Sequence, residues 1–330
     1  METELSTNNN LPTLAELGGS EPIFQRRYAE PPNQNWSSFN SSIMLSNEGE
    51  YWLAFRSSNY VFVEGQGNIR LTDVSINGAM ITNKLFLVKL NKDTWQFEEE
   101  TLKQIDLKSY KPYIKRDVED PRLFWDGYDY CITATILEKG FKVAKICKIV
   151  LESLENPKVI GFSTLESLDE DKTEKNWMPI DKRSVDTKID FIHSSHVLIS
   201  RNKFIKKEKH PITESFRGSS QVLPFDDDTN IAVIHEAEHY YVSGFNPVTF
   251  STKIKVLKYS HRFVLMDKDY NIIKISDKFV FTEKKGFDFV AGMAPTEDGY
   301  VISFGRSDVA CYVATISKEN IKKTLKDLDV

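Results

Sequence analysis

The feature that most constrains this chain is a long succession of short strand-like runs. From about residue 36 onward, segments rich in Val, Ile, Phe, Tyr and Thr recur at strand length, among them residues 51–56, 85–90, 128–137, 141–151, 255–266 and 300–304. Turn-forming clusters separate them, such as Asn47-Glu48-Gly49, Asp126-Gly127, Asp267-Lys268-Asp269 and Asp298-Gly299. Helical periodicity is convincing only at the C-terminus, where Ser317 is placed to cap a short helix over residues 318–328. Such a chain is all-β. At 330 residues it is long enough for a large sandwich or for small sheets repeated radially, which removes long exposed edges. Five blades would receive about 60 residues each, enough for four short strands and their loops. Periodicity alone stops at the all-β class.

Charge and cysteine usage narrow the function. The 43 basic and 48 acidic residues nearly cancel, and no basic cluster is denser than Lys206, Lys207 and Lys209, so nucleic acid is not an expected partner. Cys131, Cys147 and Cys311 form no C-x-x-C pair and sit in apolar runs, as reduced core residues do. No stretch of 18 apolar residues predicts a membrane span. Residues 1–22 are polar, with neither a positive start nor an apolar stretch. Residues 1–25 are therefore expected to form a disordered tail before a single domain over 26–330. The cytoplasm is the expected compartment, and the sequons at Asn35 and Asn40 are expected to stay unmodified.

Two motifs carry less than they promise. His235-Glu236-Ala237-Glu238-His239 fits the H-E-x-x-H zinc pattern, which needs a helix to bring both histidines to one metal. Its neighbours favour a strand, where the imidazoles would stand roughly 13 Å apart. Asp226-Asp227-Asp228 reads as an acidic hairpin turn. Neither a metal nor any other cofactor is expected.

A sharper constellation combines Phe39-Asn40-Ser41-Ser42, Phe55-Arg56, Glu119-Asp120-Pro121-Arg122, Lys175-Asn176-Trp177, Arg217-Gly218-Ser219-Ser220, His235, Tyr259 and Ser307-Asp308. Most of these fall at a strand end or in a turn, where loops carry function. Together they resemble glycoside hydrolase family 130, the β-mannoside phosphorylases and hydrolases, and the related β-mannosyl-transferring enzymes. The likeness runs from about residue 39 to 316, and Glu119-Asp120-Pro121-Arg122 is its most specific element.

The resemblance implies a five-bladed β-propeller with a short C-terminal helix and its site at one end of the central channel. It implies Asp120 as the single catalytic carboxyl group of an inverting enzyme, passing a proton to the glycosidic oxygen through the sugar's own 3-hydroxyl. That role calls for a carboxyl protonated near neutral pH. Asn40, Arg56, Glu119, Arg122, Trp177 and Asp308 are expected around the sugar, with Trp177 stacking on a ring face. Glu119 would point away from Asp120 if both lie on a regular strand. Lys175, His235 and Tyr259 match the family's phosphate ligands, although residues 133–148 lack the Arg-Asn pair usual in phosphorylases.

The expected partners are thus a carbohydrate together with phosphate, a sugar phosphate or a sugar nucleotide. The expected reaction is β-mannosyl transfer to or from a phosphate-bearing species. Alternatives are an exo-β-mannosidase, with Glu236, Glu238 or Asp288 as base, and a non-catalytic glycan-binding propeller.

Overall fold

The computed structural model describes residues 11–26, 36–63, 68–72, 81–107, 114–138, 143–166, 171, 173–183, 187–193, 197–200, 203–207, 213–246, 251–282 and 287–328. Five antiparallel sheets form the blades of a propeller ring. Blade 1 runs from Ser37–Leu45 through Tyr51–Ser58 and Asn83–Leu90 to Lys103–Ile105, and blade 2 from Ile114–Trp125 through Tyr130–Glu138 and Lys145–Leu151 to Val159–Thr164. Blade 3 comprises Trp177–Pro179, Phe191–His193, Val197–Ser200 and Lys203–Lys206. Blade 4 is built on the long hairpin Asn230–Asn246 and Ser251–Met266, flanked on one side by Phe216–Gly218 and Leu223–Pro224 and on the other by Ile272–Ser276. Blade 5 contains Asp288–Pro295, Gly299–Arg306 and Ala310–Ser317.

Both ends of the described chain are woven into the ring. Ile23–Arg26 pairs with Ala310–Ser317 as the last strand of blade 5, and Leu325–Asp327 pairs with Ile272–Ser276 as the last strand of blade 4. This corrects the tail expected over residues 1–25. From residue 11 the chain is ordered: Thr13 bridges Val280, and Leu14 is fully buried against the core of blades 4 and 5. Residues 1–10 lie outside the described part. The C-terminal helix spans Lys318–Thr324, with the Ser317 hydroxyl accepting from the Asn320 amide. It ends earlier than its periodicity predicts because residues 325–327 are taken up as a sheet edge. Among the described residues no helix is long and apolar enough to cross a membrane.

Burial is divided among the interfaces between blades. Leu87 and Val118 belong to the cluster joining blades 1 and 2, Phe124 and Trp177 to that joining blades 2 and 3, and Met178 and Ile234 to that joining blades 3 and 4. Phe263 and Phe304 belong to the cluster of blades 4 and 5, and Val301 and Leu53 close the ring between blades 5 and 1. Cys131, Cys147 and Cys311 are unpaired and buried within three of these clusters.

At the axis the blades are tied by side chains. Gln221, fully buried, donates through Nε2 to the backbone carbonyls of Ile43 and Leu123 and to the Ser42 hydroxyl, and its Oε1 accepts from the Met293 amide. Ser42 also accepts from the Leu123 amide, and Ser303 accepts from the Ile43 amide. One amide thus satisfies backbone groups of blades 1, 2 and 5. Gln221→Met is expected to lower the unfolding free energy by roughly 2–5 kcal/mol, since it strands several buried backbone groups. The same change at exposed Gln104 is expected to cost under about 0.5 kcal/mol. Urea denaturation of the two variants measures the difference.

Candidate active site

The inner strands of blades 1 and 2 are interrupted by the same device. Register shifts fall between Phe39 and Ser42 and between Glu119 and Arg122, with Asn40 at φ 51° and Asp120 at φ 54°. Asn176, at φ 63°, stands immediately before the inner strand of blade 3. Asn and Asp tolerate this left-handed region better than other non-glycine residues, and a bulge re-aims the side chain it carries. Gly305 leaves room for the turned chain: a Cβ there would stand 2.3 Å from the Asn40 amide nitrogen.

The break in alternation corrects the expected divergence of Glu119 and Asp120. Both carboxylates address Arg56: Asp120 Oδ1 lies 3.4 Å from Nη2, and Glu119 Oε1 lies 3.9 Å from Nη1. Asp120 Oδ1 also accepts from Asn40 Nδ2 at 2.8 Å, while Oδ2 has no partner among the described residues. Arg56 is buried, lies over the Phe39 ring and stands 3.9 Å from Asp308 Oδ2. Asp308 is buried in the turn joining two strands of blade 5, and its Oδ2 accepts from the Tyr60 hydroxyl at 2.8 Å. The structure therefore gathers Asn40, Arg56, Glu119, Asp120 and Asp308, and adds Tyr60, which belongs to none of the sequence motifs.

Electrostatics reverse one expectation. Burial pushes the Asp120 carboxyl up, but Arg56, Lys175, the Asn40 amide and Arg122 together hold it below the ordinary aspartate value. Burial dominates at Asp308 and raises its carboxyl to about 6 despite Arg56. In the free site it is Asp308, not Asp120, that holds a proton closer to neutral pH.

Two residues expected at the sugar are structural instead. Arg122 is 1% exposed and donates to the carbonyls of Ser219 (2.6 Å), Asp120 (3.2 Å) and Gly218 (3.5 Å) and to Asn176 Oδ1 (3.3 Å). Burial lowers its pKa to about 10, so it stays a cation, and it acts by holding the turned backbone of blade 2 against the chain leading into blade 4. Trp177 is also 1% exposed, packs beside Phe191 and Phe204, and donates Nε1 to Glu174 at 3.1 Å. It is core, not a platform for a sugar ring.

The anion side changes as well. Lys175 is half-exposed, with Nζ 3.5 Å from Glu119 Oε2. His235 is buried with Nδ1 2.7 Å from the Ser219 hydroxyl, and burial together with His261, Arg122 and Arg217 keeps its pKa far down. It is a neutral imidazole, so at an anion site it would act as a hydrogen-bonding group and not as a cation. Tyr259 packs on it with ring centroids 4.9 Å apart, and burial holds its phenol protonated, up to about 12.

The cation that sequence reasoning left without a role is Arg217. It is the cross-strand partner of His235, exposed, and without a hydrogen-bond or ion-pair partner among the described residues. Gly218 lets this strand touch blade 3: a Cβ there would meet the Asn176 carbonyl oxygen at 2.2 Å. Lys175 and Arg217 immediately precede the two residues in contact; Lys175 acts electrostatically on Asp120, and Arg217 acts on Tyr259, whose phenol also feels Asp120 and Asp308. A glycine directly after an arginine was the available signal.

Other candidates are engaged elsewhere. Glu236 is held by Arg262, Ser215 and Lys278, Glu238 pairs with Lys278, and Asp288 accepts from Thr282. Residues 235–239 lie within the strand Asn230–Asn246, and Asp226 caps a turn by accepting from Thr229 and the Asp228 amide.

No family model and no curated protein matches the sequence. Solved structures do. A β-1,2-mannobiose phosphorylase of Listeria innocua matches at 14% identity, covering 89% of this chain and 94% of that one, with a TM-score of 0.56. A glycosyl hydrolase of Bacteroides ovatus matches at 14% identity over 94% and 93%, with a TM-score of 0.56. A GDP-Man-dependent mannosyltransferase of Leishmania mexicana matches at 12% identity over 90% of each chain, with a TM-score of 0.51. The chain shares the five-bladed propeller of the mannoside phosphorylases that its motifs resemble. These neighbours span three reactions on that fold, so the reaction must be argued from the site.

Arg122→Lys is expected to cost roughly 2–4 kcal/mol of stability, because one ammonium cannot replace a guanidinium fork reaching three carbonyls and an amide. Chemical denaturation checks it.

Proposed function

We propose that this chain is an inverting glycosyl-transfer enzyme that moves a β-mannosyl group to or from a phosphate-bearing species. The observation that carries the reading is the open Asp120 Oδ2 in the same site as the cations Lys175 and Arg217. A sugar whose hydroxyls meet Asn40, Arg56 and Asp308 would present its anomeric carbon between that carboxylate oxygen and the cations. Tyr259 and His235 would add neutral hydrogen-bonding groups beside the phosphate.

In the synthetic direction, the acceptor hydroxyl attacks the anomeric carbon of a mannosyl phosphate or nucleotide sugar. The bond from that carbon to the phosphate oxygen breaks, and the phosphate leaves with the electron pair toward Lys175 and Arg217. The acceptor's proton passes to Asp120, directly or through the sugar's own hydroxyl. Phosphorolysis is the reverse, with a phosphate oxygen attacking and Asp120 returning the proton to the departing glycosidic oxygen. The lowered pKa of Asp120 keeps it ionised in the free site, ready to accept a proton, which suits the base role, hence synthesis. An anion bound at Lys175 would screen one of the charges that depress it, favouring proton uptake for the opposite direction. Water activation is supported less well, since Glu236, Glu238 and Asp288 are all engaged elsewhere.

A screen of mannose 1-phosphate and GDP-mannose against mannose and short mannosides is expected to yield a β-mannoside from one donor. Asp120→Asn should reduce the rate by about 10²–10⁴-fold. Lys175→Ala and Arg217→Ala should each raise KM for the phosphate-bearing substrate about tenfold. Mannose release from β-mannosides in phosphate-free buffer, unchanged by added phosphate, would overturn the proposal in favour of hydrolysis. The pH profile should also split. Asp308 accepts sugar hydroxyls more strongly when ionised, so KM is expected to climb below about pH 6, before protonation of Asp120 lowers kcat.

A further inference from the structure

Tyr60 lies between the two charged groups that meet the sugar in this reading. Its hydroxyl accepts from Arg56 Nη2 at 3.4 Å and donates to Asp308 Oδ2 at 2.8 Å, whereas the direct approach of Arg56 to Asp308 is 3.9 Å. The phenol is buried, its ring meets the Phe39 edge at 5.7 Å, and Phe39 also underlies the Arg56 guanidinium. Phe39 and Arg56 of blade 1, Asp308 of blade 5 and Tyr60 of the two-stranded hairpin formed by Tyr60–Val63 and Asn68–Leu71 thus form one packed unit. Burial keeps the phenol protonated, and it donates to Oδ2. Asp308 Oδ1 has no partner among the described residues.

We propose that Tyr60 is a positioning residue that keeps Asp308 an acceptor for a sugar hydroxyl. By occupying Oδ2 with a donor it favours the carboxylate over the acid and leaves Oδ1 as the atom that meets substrate. By accepting from Arg56 it also leaves that guanidinium directed mainly at Asp120. Without the phenol oxygen, Asp308 would face Arg56 across the longer gap, with the carboxylates of Asp120 and Glu119 nearby favouring protonation. Tyr259 is a further titratable neighbour among the described residues, and its protonated phenol contributes no charge. A protonated Asp308 would offer a sugar hydroxyl a donor where it needs an acceptor, so the effect on binding is pH-dependent. The inference rests on the glycosyl-transfer reading for its substrate, but not for the proton affinity of Asp308.

The test compares wild type with Tyr60→Phe, which keeps the ring on Phe39 and removes one oxygen. Carboxyl carbon NMR of aspartate-labelled protein follows Asp308, assigned with Asp308→Asn. Asp308 is expected to bind its proton about tenfold more tightly in Tyr60→Phe, because it loses a hydrogen bond that favours the charged form. Fluorotyrosine at position 60, a stronger donor, should shift it the opposite way and serves if the phenylalanine variant folds poorly. Calorimetry with mannose 1-phosphate should show a loss of affinity at pH 6 that exceeds the loss at pH 8 by about threefold or more. An unchanged Asp308 titration, or an equal loss at both pH values, overturns the role of Tyr60. If wild type binds no mannose 1-phosphate, the glycosyl-transfer reading fails on that substrate, while the titration still decides the role of Tyr60.

Discussion

The amide of Gln221 at the propeller axis is the interaction on which the architecture depends. Sheets twist, and five of them arranged radially leave backbone groups of their inner strands facing one another without a shared ladder. Buried carbonyl and N–H groups must be satisfied somewhere. Here one side chain with two donors and an acceptor meets blades 1, 2 and 5 at once, with Ser42 and Ser303 completing the set. The five apolar clusters hold each blade to its neighbour; the axial amide fixes how the inner strands stand relative to one another. Because Asn40 and Asp120 sit on those inner strands, the geometry of the site is inherited from this junction.

Strain is concentrated where the chemistry is proposed. Asn40, Asp120, Asn176, Ser307 and Asp308 all adopt positive φ, and four of them carry side chains that bond within the site or its supports. Left-handed backbone at a non-glycine residue costs of order 1 kcal/mol or more, and persists only where surrounding contacts enforce it. Arg122 supplies much of that enforcement. Its fork reaches the Asp120 carbonyl, the Asn176 side chain and the Ser219 and Gly218 carbonyls, so one buried cation holds two turned segments in place.

The all-β class and the blade strands were legible because turn clusters punctuate apolar runs, and the short helix because Ser317 caps a periodic stretch. The grouping of Asp120 with Asn40 and Arg56 was legible through the motifs that carry them. What escaped follows from geometry that one-dimensional pattern does not carry. Strict alternation sends Glu119 away from Asp120, and only the bulge brings both to Arg56. Trp177 has a composition suited to stacking, but a neighbouring blade covers it. His235 looks cationic until its burial and surrounding positive charges are known. Residues 11–26 are polar enough to pass for a tail, since an edge strand, the Thr13 bridge to Val280 and one buried leucine are among the few contacts that anchor them.

That anchoring has a consequence for how the molecule is made. The first described strand completes the last blade, joining segments nearly the whole chain apart in sequence, and the last described strand completes the blade before it by reaching back past blade 5. Neither seam can form before residues 310–327 have been synthesised. Blades 1 to 3, assembled from local hairpins, would gather first, and the ring would be drawn shut last. Folding should therefore be slow relative to a helical protein of this size. In the interval, the open sides of blades 4 and 5 present unpaired strand edges to whatever else is in solution.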